Sequence, residues 1–90
     1  MRMRAERELS AIVLPNGHIE LYSPRTGIRH ECGPIGTAMW IVLQRHGWRS
    51  EPAARALAAQ WGCEPDELRV EVDAWVRHFR AAGLVTVTPS

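Results

Sequence analysis

The sequence contains no lysine. All eleven basic residues are arginines, and ten acidic residues leave a net charge of +1. A Walker-type phosphate loop and a Schiff-base enzyme are therefore excluded, because both need a lysine amine. No G-x-G-x-x-G fingerprint occurs, and the one glycine cluster, Gly33-Pro34-Ile35-Gly36, has a different spacing. The two signs of charge are interspersed, so no block of charge favours a nucleic acid or a membrane surface as a partner.

Cysteines and long apolar runs are also scarce. Cys32 and Cys63 lie far apart with no C-x-x-C pair, so we expect free thiols, no metal site and no other cofactor. No stretch approaches the roughly 18 consecutive apolar residues of a membrane-spanning helix. The charged first eight residues precede no apolar signal segment. We therefore expect a cytoplasmic protein without membrane contact.

The length and composition are those of one small domain. The chain has 90 residues, of which 46% are hydrophobic and 23% charged. Such a short chain can bury one small core and leaves little room for a catalytic cleft with its own supporting residues. Its nucleophilic, acidic and basic side chains form no recognisable catalytic constellation, so we predict a binding module and not an enzyme.

The first third of the chain has the pattern of β-strands. Three segments alternate apolar and polar residues or are rich in β-branched ones: residues 9–14, 18–22 and 28–32. Between the first two, Pro15-Asn16-Gly17 predicts a hairpin with a two-residue Asn-Gly loop, in which both residues take positive φ. Residues 1–8 are predicted to be a disordered charged tail, and the domain is expected to cover residues 9–87.

Three helices are predicted after the strands. The first runs from Pro34 to about residue 45, the second is capped by Ser50, and the third begins at Pro65 and is stopped by Gly83. A short strand over residues 84–87 closes the chain. The pattern predicts an α+β fold, winged helix-turn-helix-like, with a three-stranded antiparallel β-meander followed by three α-helices.

The positions of the tryptophans and of Cys63 along the predicted helices and loops indicate whether each is buried. Trp40, Trp61 and Trp75 fall on apolar stripes at helical spacing, so we expect them in the core and not on a base-stacking surface. Trp48 lies in the loop between the first two helices and is expected to be partly exposed. Cys63 is expected to be a small core residue.

Two motifs lie at the junctions of these elements: Arg25-Thr26-Gly27 between two strands, and Gly33-Pro34-Ile35-Gly36-Thr37-Ala38-Met39-Trp40 at the start of the first helix. They resemble the PqqD family, in which a strand, an R-T-G turn and another strand lead into an N-P-x-G-x-x-x-W helix. The last helix, between Pro65 and Gly83-Leu84-Val85, is also similar. Gly33 replaces the usual Asn, and Cys32 replaces a leucine-like residue while still packing as a small apolar side chain.

The resemblance implies a recognition element for ribosomally made peptides, which holds the leader segment of a precursor and presents it to modifying enzymes. The chain is most similar to the stand-alone leader-binding proteins of lasso peptide biosynthesis. The implied partners are the precursor leader, a leader peptidase of the cysteine protease type and possibly a macrolactam cyclase. Two alternatives stay open: a winged-helix DNA-binding regulator, which the mixed charges of the third helix disfavour, and a PqqD-type chaperone for a radical-SAM peptide-modifying enzyme.

The implied binding site joins the last strand of the meander to the third helix. An open strand edge can accept an extended peptide as an additional strand, and pockets beside it can read alternate side chains. The predicted peptide-binding residues are Ile28, Arg29, His30, Glu31 and Cys32 on the strand and Arg69, Val72, Asp73, Val76, Arg77 and Arg80 on the helix. Val72 and Val76 are predicted to form the pocket floor, and Arg69 and Asp73 its polar rim. Which flank of the helix faces the strand stays open from the sequence.

Overall fold

A computed structural model describes the backbone of residues 2–88 and the side chains of residues 3–87. The elements in chain order are β1 (Arg2–Ala5), β2 (Ser10–Val13), β3 (Ile19–Ser23), β4 (Ile28–Cys32), α1 (Pro34–Arg45), α2 (Ser50–Trp61), α3 (Pro65–Ala81) and β5 (Val85–Thr88). The predicted α+β fold, an antiparallel meander followed by three helices, is confirmed.

The meander is a three-stranded antiparallel sheet with β3 at its centre. Ile19, Leu21 and Ser23 of β3 are buried, whereas the residues between them are partly exposed. Directly paired residues share a face of the sheet. The register therefore puts Cys32, His30 and Ile28 of β4 on the same, helix-facing side as these three residues, as the alternation of the sequence predicts. Among the described residues, the sheet ends at β2 on one side and at β4 on the other.

The hairpin between β2 and β3 differs from its prediction. The N–H of Leu14 donates to the His18 carbonyl at 2.7 Å, and the N–H of Gly17 donates to the Leu14 carbonyl at 3.0 Å. These bonds close a three-residue loop in which only Gly17 has positive φ, at 85°. Pro15 explains the difference, because its ring fixes a negative φ that suits the first central position of a type I turn, with a left-handed glycine after it.

The first residues form a strand where the sequence predicted a disordered tail. Arg2–Ala5 pairs antiparallel with β5, and the partners Met3↔Val87 and Ala5↔Val85 alternate with two arginines of β1. The arginines gave the segment its charged character, although an edge strand with one solvent-facing side readily carries them. Met1 lies outside the described residues.

Glu6 ties this N-terminal segment to the turn between β3 and β4. Its side chain is 4% exposed, and its N–H donates to the Leu84 carbonyl at 2.9 Å. The Ser23 hydroxyl donates to one carboxylate oxygen at 3.5 Å, and Nη1 of Arg25 lies 3.4 Å from the other. The turn that leads into β4 is thus held by the segment before β2.

Helix boundaries follow proline and glycine. Pro34 and Pro65 occupy the first turns of α1 and α3, where a missing N–H costs no helical hydrogen bond. Gly62 ends α2 in the left-handed region at φ 67°. The prediction that Ser50 caps α2 was wrong, because Ser50 is already helical and Arg49 occupies the cap without a side-chain hydrogen bond.

An aromatic cluster fills the core. Trp40 packs edge-on against Trp48 and Phe79, with ring centroids 4.8 and 5.1 Å apart. The prediction that Trp48 is partly exposed was wrong, since it is 4% exposed. Gly47 and Trp48 both take φ 64°, and this left-handed pair turns the chain so that the Trp48 ring enters the core. The cost of a left-handed non-glycine residue is offset by burying an indole.

Two residues at the end of α2 lie further out than predicted. Trp61 is 45% exposed and Cys63 is exposed, although the sequence placed both in the core. The apolar stripe of α2 is buried only as far as Ala58. Trp61 stands on the last turn, past the part of α2 that packs on the core, and Cys63 follows in the turn to α3.

Candidate functional site

The backbone of β4 carries free hydrogen-bonding groups along its open edge. In an antiparallel ladder, hydrogen-bonded and non-hydrogen-bonded pairs alternate. Leu14 and His18 form a bonded pair, so Ile19 and Leu21 turn their N–H and C=O groups away from β2 and towards β4. Their partners Cys32 and His30 point back at β3.

The residues between these partners face outwards. Arg29 is opposite Tyr22 and Glu31 is opposite Glu20, both in non-bonded pairs. The N–H and C=O groups of Arg29 and Glu31 therefore point away from β3 into the open edge. An added strand can form a ladder with these two residues.

The end of β4 meets α1 and α3 at Gly36. A Cβ placed on Gly36 would lie 2.8 Å from Cβ of Cys32 and 3.0 Å from Cη2 of Trp75. Only a residue without a side chain allows this approach. Trp75 is half-buried and packs on Phe79, with ring centroids 5.4 Å apart. The indole of Trp75 therefore meets the end of β4 at Gly36, close to Cys32.

A shallow apolar concavity continues from Trp75 along α3. Ala74, Trp75 and His78 line a space of about 420 Å³. The His78 ring lies edge-on to Trp75, with centroids 5.4 Å apart. Side chains that project inwards from a strand added to β4 would point towards this flank of α3, because Cys32 and His30 project to the same side.

The helix residues predicted for the site lie on the core-facing side and on the charged faces of α3. Val72 and Val76 are 0% and 7% exposed and pack in the core, and their contact with a leader stays a prediction. Arg69 lies on the α2 side, with Nη1 3.8 Å from Oε2 of Glu51. The four charged residues predicted for the site on α3 are Arg69, Asp73, Arg77 and Arg80. At 3.6 residues per turn, each is rotated by more than about 100° about the helix axis from Trp75.

The five predicted residues of β4 differ in how much of each side chain is exposed. Ile28 is 49% exposed on the helix-facing side, His30 is half-buried, and Cys32 is 8% exposed. Arg29 and Glu31 are exposed on the opposite face of the sheet. The predicted strand edge is thus present, and its two faces carry different chemistry.

Sequence analysis missed Gly36, Ala74 and His78 and assigned Trp75 wholly to the core. A signal for Gly36 was present, since a glycine within a helix is unfavourable unless something approaches it closely. No signal in one sequence specifies which neighbour approaches. The approach of Trp75 to Gly36 of α1 depends on tertiary packing.

Cys32 is the thiol at the end of β4. Burial raises the pKa of the Cys32 thiol, which keeps it protonated and a poor nucleophile near neutral pH. Cys32 and Cys63 are both free. Within residues 2–88, no three His, Cys, Asp or Glu side chains come together in a way that could hold a metal ion. Over the same residues, no helix combines the length and hydrophobicity needed to cross a membrane.

The family model of coenzyme PQQ synthesis protein D (PqqD) matches residues 20–85. This span includes β4, α1, α2 and α3 and covers more than half of the chain. The chain belongs to the PqqD family. The match confirms the family resemblance read from the sequence. No curated protein matches the chain.

Two solved structures share the fold of this PqqD-family chain. One is TbiB1 in complex with the TbiA(beta) leader peptide, with a TM-score of 0.80 and 15% identity over 97% of this chain and 99% of that one. The other is lasso peptide synthetase B1 complexed with the leader peptide, with a TM-score of 0.77 and 18% identity over 97% of this chain and 100% of that one. Both similarities extend over the whole fold.

Proposed function

We propose that this chain is a non-catalytic protein that binds the leader of a ribosomally synthesised precursor peptide. Its role is most similar to that of the leader-binding proteins of lasso peptide biosynthesis. The leader adds as a strand, antiparallel to β4. The observation that carries the proposal is the open edge of Arg29 and Glu31 on β4, together with the indole of Trp75, which meets the end of that strand at Gly36. The backbone supplies sequence-independent affinity, and the flank reads the inward-facing side chains.

The edge of β4 suits this role better than that of β2. All four residues of β2 are exposed, including Ala11 and Val13, which share the helix-facing side with Leu21 and Ile19. No helix therefore covers the inner face at β2, and a strand added there would find no apolar wall. A strand added at β4 would bury its inward side chains against Trp75.

The proposal includes the partners that act on the bound precursor. A leader peptidase of the cysteine protease type and a macrolactam cyclase would use this chain as a presenting subunit, in the cytoplasm where the precursor is made. Both solved structures of similar fold are complexes with a leader peptide, and this supports the peptide as the first partner. A chaperone that serves a radical-SAM enzyme would bind its peptide at the same edge. The identity of the partner enzyme would distinguish this role from the lasso peptide role.

DNA binding is the competing function. The outward face of α3 mixes Glu67, Glu71 and Asp73 with its arginines, so it forms no basic stripe. Isothermal titration with the leader peptide encoded beside this chain, and with a duplex DNA control, tests the proposal. We expect saturable leader binding and no binding of the duplex. Salt-sensitive binding of DNA without binding of the leader would overturn it.

A further inference from the structure

The outer face of β4 carries two opposite charges in fixed positions. Nη1 of Arg29 lies 3.6 Å from Oε1 of Glu20, and its guanidinium carbon lies 5.2 Å from the centre of the Tyr22 ring. Oε2 of Glu31 lies 2.7 Å from Nδ1 of His18. Side chains of β3 and of His18 just before it thus contact both charges, which remain exposed and able to take a further partner.

These two residues are also the ones whose backbone faces the open edge. A strand hydrogen-bonded to Arg29 and Glu31 places one of its residues directly opposite each, with the side chains on the same outer face and Cβ atoms about 5 Å apart. In an antiparallel strand, the residue opposite Glu31 comes first and the residue opposite Arg29 comes two positions later. The residue between them lies opposite His30 and points inwards, to the helix-facing side of the sheet.

We propose that Arg29 and Glu31 set the register of the bound leader by reading its charges. This inference rests on the proposed function. The leader segment has a basic residue opposite Glu31, an acidic residue two positions later opposite Arg29, and an apolar residue between them. Backbone pairing alone accepts many registers, and the charges select one.

Each wrong register has a physical penalty. A slip of one residue turns the charged side chains inwards and the apolar one outwards. A slip of two residues brings the basic residue opposite Arg29 or the acidic residue opposite Glu31, and like charges directly opposite each other are unfavourable. The alternating charges therefore exclude both the odd and the even slips nearest to the correct register.

The decisive experiment exchanges the two charges. The variant Arg29→Glu/Glu31→Arg keeps the net charge, and its affinity is measured by fluorescence anisotropy for two labelled synthetic peptides. One is the leader encoded beside this chain, and the other is that leader with its basic and acidic residues exchanged. Compared with the unchanged protein, we expect the variant to bind the natural leader about 10-fold more weakly and the exchanged leader about 10-fold more tightly. These factors follow from the free energy of cross-strand charge pairs.

A matched control uses the exposed pair of Glu51 and Arg55 on α2, whose charged atoms are 2.7 Å apart. The exchange Glu51→Arg/Arg55→Glu should leave both affinities unchanged. A second variant, Glu31→Gln, adds no like-charge contact with Glu20. It should weaken binding of the natural leader about 3-fold at low salt and hardly at all in 1 M NaCl, because salt screens exposed charges.

The outcomes separate this inference from the proposed function. If the unchanged protein binds the leader but the exchanged variant treats both peptides alike, the charge-reading register is wrong and leader binding stands. A natural leader without this charge pattern in its bound segment would also overturn the register. If the unchanged, folded protein binds neither peptide, the proposed function itself is wrong.

Discussion

Gly36 of α1 lies against the indole of Trp75 on α3, and a Cβ at Gly36 would come within 3.0 Å of that ring and 2.8 Å of Cβ of Cys32. This contact joins three elements at one point: the end of β4, the first turn of α1 and the middle of α3. It sets the spacing between the open strand edge and the apolar flank of α3, which is where we propose that the leader binds.

Gly36→Ala should therefore destabilise the protein. Alanine is favoured over glycine inside a helix by about 1 kcal/mol, so an uncrowded site would gain stability. Here the added methyl forces Cys32 or Trp75 to move, and we expect a net loss of about 1–3 kcal/mol, typical of overpacking. Urea unfolding followed by circular dichroism measures it. Gly33→Ala is the control, because no atom lies within 4 Å of a Cβ placed there; equal effects of both changes would refute the close-packing argument.

Proline substitutions test the orientation of the β4 backbone. Arg29→Pro removes an N–H that points into the open edge, so the protein should remain folded and lose about 10-fold or more in leader affinity. His30→Pro removes an N–H directed at Leu21 of β3 and should unfold the sheet. Calorimetric titration and circular dichroism measure the two effects.

Ala11→Pro is the matched control for the other edge. Ala11 forms a non-bonded pair with Leu21, so its N–H also points outwards, but from β2. The protein should keep both its fold and its leader affinity. Loss of leader binding in Ala11→Pro, with Arg29→Pro unaffected, would place the leader at β2.

Local chemistry explains what the sequence predicted. The alternation of β4 follows from a strand with one face on the core, and the starts of α1 and α3 follow from Pro34 and Pro65. The open edge could be expected because β4 ends the meander and α1 follows it directly. Each of these features depends on residues that are close in the sequence.

Tertiary contacts explain what the sequence missed. Trp48 enters the core because two successive residues take left-handed conformations, and no simple pattern signals this for a tryptophan. Trp61 falls on the predicted stripe, but the core ends before it. The side of α3 that meets the end of β4 is fixed by the approach of Trp75 to Gly36, and helical spacing alone could not distinguish this side from the buried side of Val72 and Val76.

Glu6 and Arg25 should differ in their contributions to stability. Glu6→Ala removes a carboxylate whose side chain is 4% exposed and leaves the Ser23 hydroxyl without this acceptor, and we expect a loss of about 1–3 kcal/mol. Arg25→Ala should cost under about 1 kcal/mol, because its side chain is 67% exposed and water can replace it at the carboxylate. Urea unfolding compares them, with the exposed Arg7→Ala as the control. A larger loss for Arg25→Ala would show that the ion pair is the dominant interaction.

The two thiols should react at very different rates. Cys63 lies exposed in the turn between α2 and α3, whereas Cys32 is 8% exposed and burial raises the pKa of its thiol. Because the thiolate is the reactive form, we expect Cys63 to react with a disulfide reagent at least about 10-fold faster at neutral pH. Mass spectrometry of the labelled protein assigns each site, and Cys63→Ser should leave only the slow reaction.

The fold should also lose stability as the pH rises above the pKa of the unfolded Cys32 thiol, since the unfolded chain then gives up a proton that the folded state keeps. Cys32→Ala should remove that part of the alkaline pH dependence, and an unchanged profile in this variant would contradict the assignment.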